Sequence, residues 1–266
     1  MTPSITVLGA RGSIPVSGSA FARYGGATTC ILVRLGEQPL IIDAGSGLLS
    51  LPEDVLRLPR LSLLLTHPHL DHLLGLPLCR YAFREDAQLD IYAVSRAGLD
   101  ARSQICRMLS PPLWPIGPDR LAAQLSFHEL PPSLTLDGLR IDVLEGVHPG
   151  GVSVFRIEGG GRRVVCATDC TVEGPISAKL AAFARDCDLL LCDGQYSDAE
   201  WKARALFGHS TWSAAARLAR DCGAKRLRVI HHDPFQTDAE LDAAGTGLRQ
   251  YGTDYSFAKE GEVIEL

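Results

Sequence analysis

The sequence has no apolar stretch approaching the ~18 uninterrupted residues of a membrane span. It also has no basic leader at its start, no Cys-x-x-Cys pair and no asparagine. The first absence argues against a membrane helix and a membrane partner. The second, read from Thr2-Pro-Ser-Ile-Thr-Val-Leu-Gly9, argues against a signal peptide, so a cytoplasmic location is expected. Without a Cys-x-x-Cys pair, the eight cysteines read as free thiols buried as small apolar residues. Missing asparagine, together with arginine far in excess of lysine, reads as genome composition bias without functional content. Cationic excess is missing too. A net charge of −5 provides no basic footprint for a long nucleic acid, although it leaves a small phosphorylated substrate open.

What is present is core. The 266 residues are 46% hydrophobic, enough for one large domain, and residues 1–266 are expected to form it. Short apolar or β-branched runs bounded by Gly, Pro and Ser predict strands in both halves. In the first half they lie at Ile5–Leu8, Cys30–Leu35, Leu40–Asp43, Leu61–Thr66 and Asp90–Val94. In the second they lie at Leu125–Leu130, Leu139–Leu144, Val152–Glu158, Arg163–Ala167, Leu189–Cys192 and Leu227–Ile230. Helical spacing predicts helices over Leu73–Arg84, Ala97–Leu109, Pro175–Asp186, Thr211–Cys222 and Asp238–Tyr251. Ser110–Asp119, with four prolines, is irregular. Strands that meander in each half and end in helices suit two packed sheets with helices outside, a four-layer αββα sandwich.

Residues 67–72 read His-Pro-His-Leu-Asp-His, directly after a buried-looking strand. Four ligand-type side chains in six residues, imidazoles and a carboxylate, are the donors that zinc and related cations prefer. Their alternating spacing lets two histidines point one way and the Asp-His pair another, which suggests two metal ions. Further histidines follow strands or open helices: His148 in Gly146-Val-His-Pro-Gly-Gly151, His209 in Gly208-His-Ser-Thr211, and the pair His231-His232. Asp169 follows the strand Arg163–Ala167. Asp43, in Ile42-Asp-Ala-Gly45, reads as a residue that orients a ligand histidine. His128, in an alternating strand, reads as a histidine without chemistry.

This ordered series, His67-x-His69-x-Asp71-His72, His148, Asp169, His231, resembles the ligand series of the metallo-β-lactamase superfamily. Within it, the chain most resembles the phosphodiesterase-type branch, relatives of ribonuclease Z and the cyclic-phosphate phosphodiesterases. The closer match is carried by Gly9-Ala-Arg-Gly-Ser13, Tyr24-Gly-Gly-Ala-Thr-Thr-Cys30, His148-Pro-Gly-Gly151, Gly208-His-Ser-Thr211 and His231-His-Asp-Pro234. One departure is Ala27, where the pattern has asparagine; it touches no ligand. The resemblance implies the αββα sandwich with its metals where the two sheets meet. His67, His69 and His148 would hold one ion, Asp71, His72 and His231 the other, and Asp169 would bridge them. Two divalent ions, zinc by preference with manganese or iron as substitutes, would share and deprotonate a water at a separation of ~3.5–4 Å. Asp71 would also contact that water as base. The choice between His231 and His232 stays open, with alignment to the family's last strand favouring His231.

His209 points the series toward phosphodiesters. It sits before the helix Thr211–Cys222, where Ser210 or Thr211 can cap and a helix N-terminus favours an anion. There it would bind a phosphate oxygen or protonate the departing alkoxide. Ser210 and Trp114 are candidate substrate contacts; Arg11 and Ser13 read equally well as a structural turn. The expected substrate is a small or cyclic phosphodiester rather than a long nucleic acid, and the resemblance admits a homodimer. Two other readings remain: a lactone, thioester or β-lactam hydrolase on the same fold, which has less use for His209, and a non-catalytic metal-bound sensor.

Overall fold

Apolar runs that are buried on both faces fix the architecture. In the computed structural model, which describes residues 2–266, Leu61, Leu63 and Leu65 enter one apolar cluster while Leu64 enters another. Leu190 and Cys192 likewise face away from Leu189 and Leu191. Side chains alternate across a strand, so a continuous apolar run needs a partner layer on each side.

Two seven-stranded sheets result. The first contains β1 (Ser4–Gly9), β2 (Cys30–Arg34), β3 (Leu40–Ile42), β4 (Arg60–Leu65), β5 (Gln88–Ala93) and β6 (Gln124–Glu129) in sequence order, with the C-terminal β14 (Val263–Glu265) beside β1. The second contains β7 (Ser133–Leu136), β8 (Leu139–Gly146), β9 (Val152–Gly159), β10 (Arg162–Ala167), β11 (Leu189–Asp193), β12 (Leu227–Ile230) and β13 (Tyr255–Phe257). A cluster including Ile31, Ile42, Leu64, Phe155, Val164 and Leu191 fills the space between them. Helices α1 (Glu53–Leu56) and α2 (Ala101–Met108) belong to the first half, and α3 (Ser177–Phe183), α4 (Asp198–Arg204), α5 (Trp212–Cys222) and α6 (Asp238–Leu248) to the second. Outer clusters seat Val55 and Ile105 on one sheet, and Leu180, Ala215 and Leu241 on the other. Three apolar seams between four layers are the αββα sandwich that the sequence leads one to expect.

Strands β3 to β6 run parallel, as do β10 to β13. Parallel strands bring their carboxyl ends to one edge, where open α/β sheets present ligand-binding loops. Asp43, Asp169 and His231 follow β3, β10 and β12 there, with positive φ of 61°, 51° and 65°. Such left-handed conformations are costly for non-glycine residues and turn the chain sharply out of the strand.

Several local expectations are corrected. Leu73–Arg84 is not a helix but short 3₁₀ turns at Leu76–Leu78 and Arg80–Phe83. Pro77 lacks a donor, and Gly75 lies so close to its neighbours that an added Cβ would stand 2.1 Å from the Gly45 carbonyl oxygen. Helix α2 starts at Ala101 rather than Ala97, because Ala97 and Gly98 take positive φ and Asp100 caps the helix by accepting from the Ser103 N–H. Helices α3 and α6 are shorter than expected, and β7, β13 and β14 were not foreseen. Helix α4 begins in a capping box of Ser197 and Glu200, a Ser-x-x-Glu signal that is legible in the sequence. The Gly160-Gly161 turn joins β9 to β10, with φ of 57° and 72°. Among the described residues, no helix is long and apolar enough to cross a membrane.

Candidate metal centre

The expected ligand residues converge at the sheet edge. Donor atoms of His67, His69, His148 and Asp169 lie within 4.8 Å of one another, as do those of Asp71, His72, Asp169 and His231. Asp169 belongs to both groups. Its Oδ2 is 3.6 Å from His67 Nε2, 3.2 Å from His72 Nε2 and 3.9 Å from His148 Nε2, while Oδ1 is 2.9 Å from His231 Nε2. One carboxylate thus stands between two sets of imidazoles.

Each side chain is held from behind. The buried Asp43 accepts from the Thr66 N–H (2.8 Å) and hydroxyl, and its Oδ2 lies 2.7 Å from His72 Nδ1. That contact turns Nε2 of His72 into the centre, the orienting role expected of Asp43. The Gly208 carbonyl lies 3.1 Å from His148 Nδ1 and the Gln195 amide oxygen 3.0 Å from His231 Nδ1. Gly12 makes room for the latter ring, since a Cβ there would stand 2.4 Å from His231 Nδ1. Asp71 Oδ2 accepts from the Ser13 N–H at 2.9 Å and lies 3.1 Å from His231 Nε2.

The donor set fits cations. Among the described residues, His67 Nε2 and His72 Nε2 are buried with carboxylate oxygens nearby but without a hydrogen bond of good geometry, a costly arrangement unless something else meets these nitrogens. Burial holds His67 well below the ordinary histidine value, and it holds His148 at about 4, so both present neutral imidazoles. Burial would also lower His72 and His231. The Asp169 and Asp71 carboxylates outweigh it, pushing His72 well up and His231 to about 10. Burial would raise Asp71 and Asp169, but the facing imidazoles hold both carboxylates below the ordinary range. Carboxylates packed this tightly demand positive charge, which protons or metal ions can supply.

His231, not His232, faces this cluster. His232 turns away, donating Nε2–H to the Ala258 carbonyl at 2.8 Å between the rings of Tyr24 and Phe257. Burial drops it to about 3. The divergence is set by the left-handed turn at His231, not by strand alternation.

His209 packs beside the centre, its ring stacked on His231 at 4.9 Å between centroids and 17° between planes. Its Nδ1 lies 2.8 Å from Oδ2 of Asp193, which ends β11 and is fully buried. Asp193 also accepts from the Ser210 N–H at 2.8 Å. Sequence reasoning missed Asp193. Its signal was present: an aspartate at the end of an apolar strand, the same pattern as Ile42-Asp43 and Ala167-Thr168-Asp169.

Other candidates fall elsewhere. Ser210 is fully buried, and its hydroxyl accepts from the Val172 N–H (2.7 Å) and has the Cys170 carbonyl (2.9 Å) and Glu173 (3.1 Å) as acceptors for its one proton. It ties the loop after β10 to the entrance of α5 and does not face a substrate. Thr211 is the cap of α5, accepting from the Ala214 N–H. The start of that helix offers an anion less than expected, because the Ser210 and Trp212 N–H groups are already spent on Asp193 and the Tyr196 carbonyl. Trp114 packs half-buried against the outer cluster of the first sheet, and no hydrogen bond, ion pair or ring contact among the described residues joins it to the histidines. Arg11 is fully buried, with its guanidinium on the carbonyls of Gly25, Asp233 and Gln236. His128 stacks on Tyr92 and contacts Asp90 on β5, away from the centre. Burial raises the Cys170 thiol to about 12, and all eight cysteines are free.

Comparison with known proteins bears on this arrangement. A family model described as a beta-lactamase superfamily domain matches residues 40–232. Ribonuclease Z of Thermoplasma volcanium is 33% identical over 112 residues, an alignment covering 38% of this chain and 36% of that protein. The probable metallo-hydrolase YhfI of Bacillus subtilis is 24% identical over 265 residues, 98% of this chain and 99% of that one. Its crystal structure superposes with a TM-score of 0.75 at 22% identity, covering 100% of both chains. A diphosphatase from the PhnP family superposes with a TM-score of 0.68 at 18% identity, covering 99% of this chain and 98% of that one. These superpositions establish the shared fold.

Proposed function

The chain belongs to the beta-lactamase superfamily, and from that premise we propose that this metal-dependent hydrolase is a phosphodiesterase acting on a small or cyclic phosphodiester. His67, His69 and His148 would hold one divalent ion and Asp71, His72 and His231 a second, with Asp169 between them. When bound, such ions supply positive charge to the phosphoryl oxygens and acidify a shared water. Zinc fits the donors, as do manganese and iron.

The chain's own residues divide the remaining work. Asp71, held ionised, makes its hydrogen bonds through Oδ2 and, among the described residues, leaves Oδ1 without one, an oxygen able to take a proton from the attacking water. Asp193 engages Nδ1 of His209, so Nε2 is the atom left to deliver a proton to the departing alkoxide.

The observation that carries the reading is this buried Asp193–His209 pair beside Asp169 and His231. A proton donor so placed serves a leaving group that departs as a strongly basic oxygen. Ribonuclease Z and the PhnP-family diphosphatase among the relatives favour phosphorus chemistry. The acidic balance of −5 and the lack of a basic insertion favour a small substrate over tRNA.

The test is a panel of bis(p-nitrophenyl) phosphate, alkyl phosphodiesters, 2′,3′-cyclic phosphates, a lactone, a thioester and a β-lactam, run with protein loaded with zinc, manganese or iron and its metal content measured. Preference for the phosphodiesters supports the proposal. Preference for the lactone, thioester or lactam overturns it, and no turnover with any metal replaces it by a binding role.

A further inference from the structure

We propose that the substrate carries an apolar ester substituent, an alkyl chain or an aromatic ring, which packs on exposed apolar side chains around the mouth of the centre. This deepens, and rests on, the phosphodiesterase reading. Of the twelve exposed large apolar side chains among the described residues, six (Ile14, Leu70, Val147, Leu206, Phe207 and Phe235) lie on the loops that carry or adjoin the site. Scattered exposed apolar residues are ordinary, but a concentration around an opening marks a surface that something covers.

Four of them sit on loops tied directly to one another. The Ser13 N–H donates to Asp71 at 2.9 Å, His69 Nδ1 lies 3.1 Å from His148 Nε2, and His148 Nδ1 lies 3.1 Å from the Gly208 carbonyl. Ile14 adjoins Ser13, Leu70 lies between His69 and Asp71, Val147 precedes His148, and Phe207 precedes Gly208. Their exposures of 51%, 55%, 49% and 59% mean that each still has about half its surface to lose to a ligand. Neighbouring His69 is itself exposed, so the centre opens on this side.

Charge points the same way. Segments 12–14, 67–72, 146–151 and 205–210 contain no lysine or arginine. Arginines near these loops are committed: Arg96 to Glu145 at 2.7 Å, Arg204 to Asp233 at 2.9 Å, and Arg11 to backbone carbonyls. A polyphosphate or an oligonucleotide would bring further anionic groups, and none of these four segments carries a cation to neutralise them. A diester with a single negative charge needs only the centre for its phosphate, and its substituent meets the apolar rim.

The test uses zinc-loaded protein and p-nitrophenyl phosphates esterified with methyl, butyl, hexyl and phenyl groups, beside the polar thymidine 5′-p-nitrophenyl phosphate. Expected is a rise in kcat/KM of about two- to four-fold per methylene, with hexyl and phenyl above thymidine. A Leu70→Ser/Phe207→Ser double variant should flatten that rise. Both positions are exposed, so the fold should survive, which circular dichroism checks. Calorimetric binding of methyl and hexyl methylphosphonates gives a readout without turnover. A flat series with good turnover, or preference for thymidine, overturns the rim and leaves the phosphodiesterase reading intact. No turnover of any diester, with hexyl phosphonate bound more tightly than methyl, removes the phosphodiesterase reading and keeps the rim. Neither turnover nor a difference in binding removes both. A dimer seen by sedimentation that the double variant dissolves, with the ester series unchanged, assigns the rim to a second copy and overturns the proposal.

Discussion

Replacing His209 by alanine should cost most where the departing oxygen most needs a proton. His209 Nδ1 is engaged by the buried Asp193 at 2.8 Å, and its ring is stacked on His231, so Nε2 has a fixed aim. For a diester that releases an alkoxide, losing a positioned proton donor should lower kcat by about 10²–10⁴, or ~2.7–5.5 kcal/mol of barrier at ~1.36 kcal/mol per tenfold. For a diester that releases p-nitrophenolate, which leaves without protonation, the loss should stay below about tenfold. The variant should still fold. It leaves Asp193 Oδ2 without its partner, a buried group whose isolation costs about 1–3 kcal/mol. Oδ1, however, keeps the Ser210 N–H at 2.8 Å and the Gln195 N–H at 3.2 Å. The assay is steady-state kcat for the two leaving groups, wild type against variant, with metal content by elemental analysis and a melting curve. Asp193→Asn keeps the volume and the Ser210 contact and should shift the leaving-group dependence in the same direction. Equal losses for the two leaving groups would refute proton donation and leave His209 holding the phosphate. No loss with either would remove it from the chemistry altogether.

Three further outcomes are expected. Asp43→Asn, at the fully buried carboxylate that orients His72, should weaken metal retention about 10–100-fold, read by competition with a chromogenic chelator; unchanged retention would show that His72 does not depend on it. Gly12→Ala places a Cβ 2.4 Å from His231 Nδ1 and should cut bound metal toward one ion per chain, whereas a full complement would mean that the loop yields. Away from the centre, burial would raise Asp90, but hydrogen bonds from Arg60, His128 and Gln88 outweigh it and hold it below the ordinary carboxylate value. A carboxylate with a depressed folded value stabilises the fold above its unfolded value and loses that contribution as pH falls through the folded one. Asp90→Asn should therefore lower the melting temperature at pH 7, and the gap to wild type should close below about pH 4; a gap that stays constant with pH would refute the assignment.

Sequence patterns carried the sheets well and the turns poorly. Runs such as Leu61–Leu65 and Leu189–Cys192 are short for helices and suit strands covered on both faces, which is why the pattern pointed to a layered sandwich. Leu73–Arg84 misled because its leucine spacing is helical, while Gly75 answers to close packing against the Gly45 carbonyl and Pro77 lacks an N–H donor. Strand β13 pairs in parallel with β12, a distant register that no local pattern announces.

At the centre the division is sharper. The sequence alone determined the chemistry on offer, because donor type and spacing are covalent facts: four ligand-type side chains in residues 67–72, a lone histidine after one strand, an aspartate and a histidine after two others. Tertiary structure decided direction. It turned His231 inward and His232 onto the Ala258 carbonyl, spent the Ser210 hydroxyl between two loops, left Trp114 against the outer cluster, and set the unforeseen Asp193 behind His209. Where a side chain points depends on left-handed turns at strand ends and on partners as far as 160 residues away, as from Asp71 to His231. Those relations exist only once both sheets have closed on their common core.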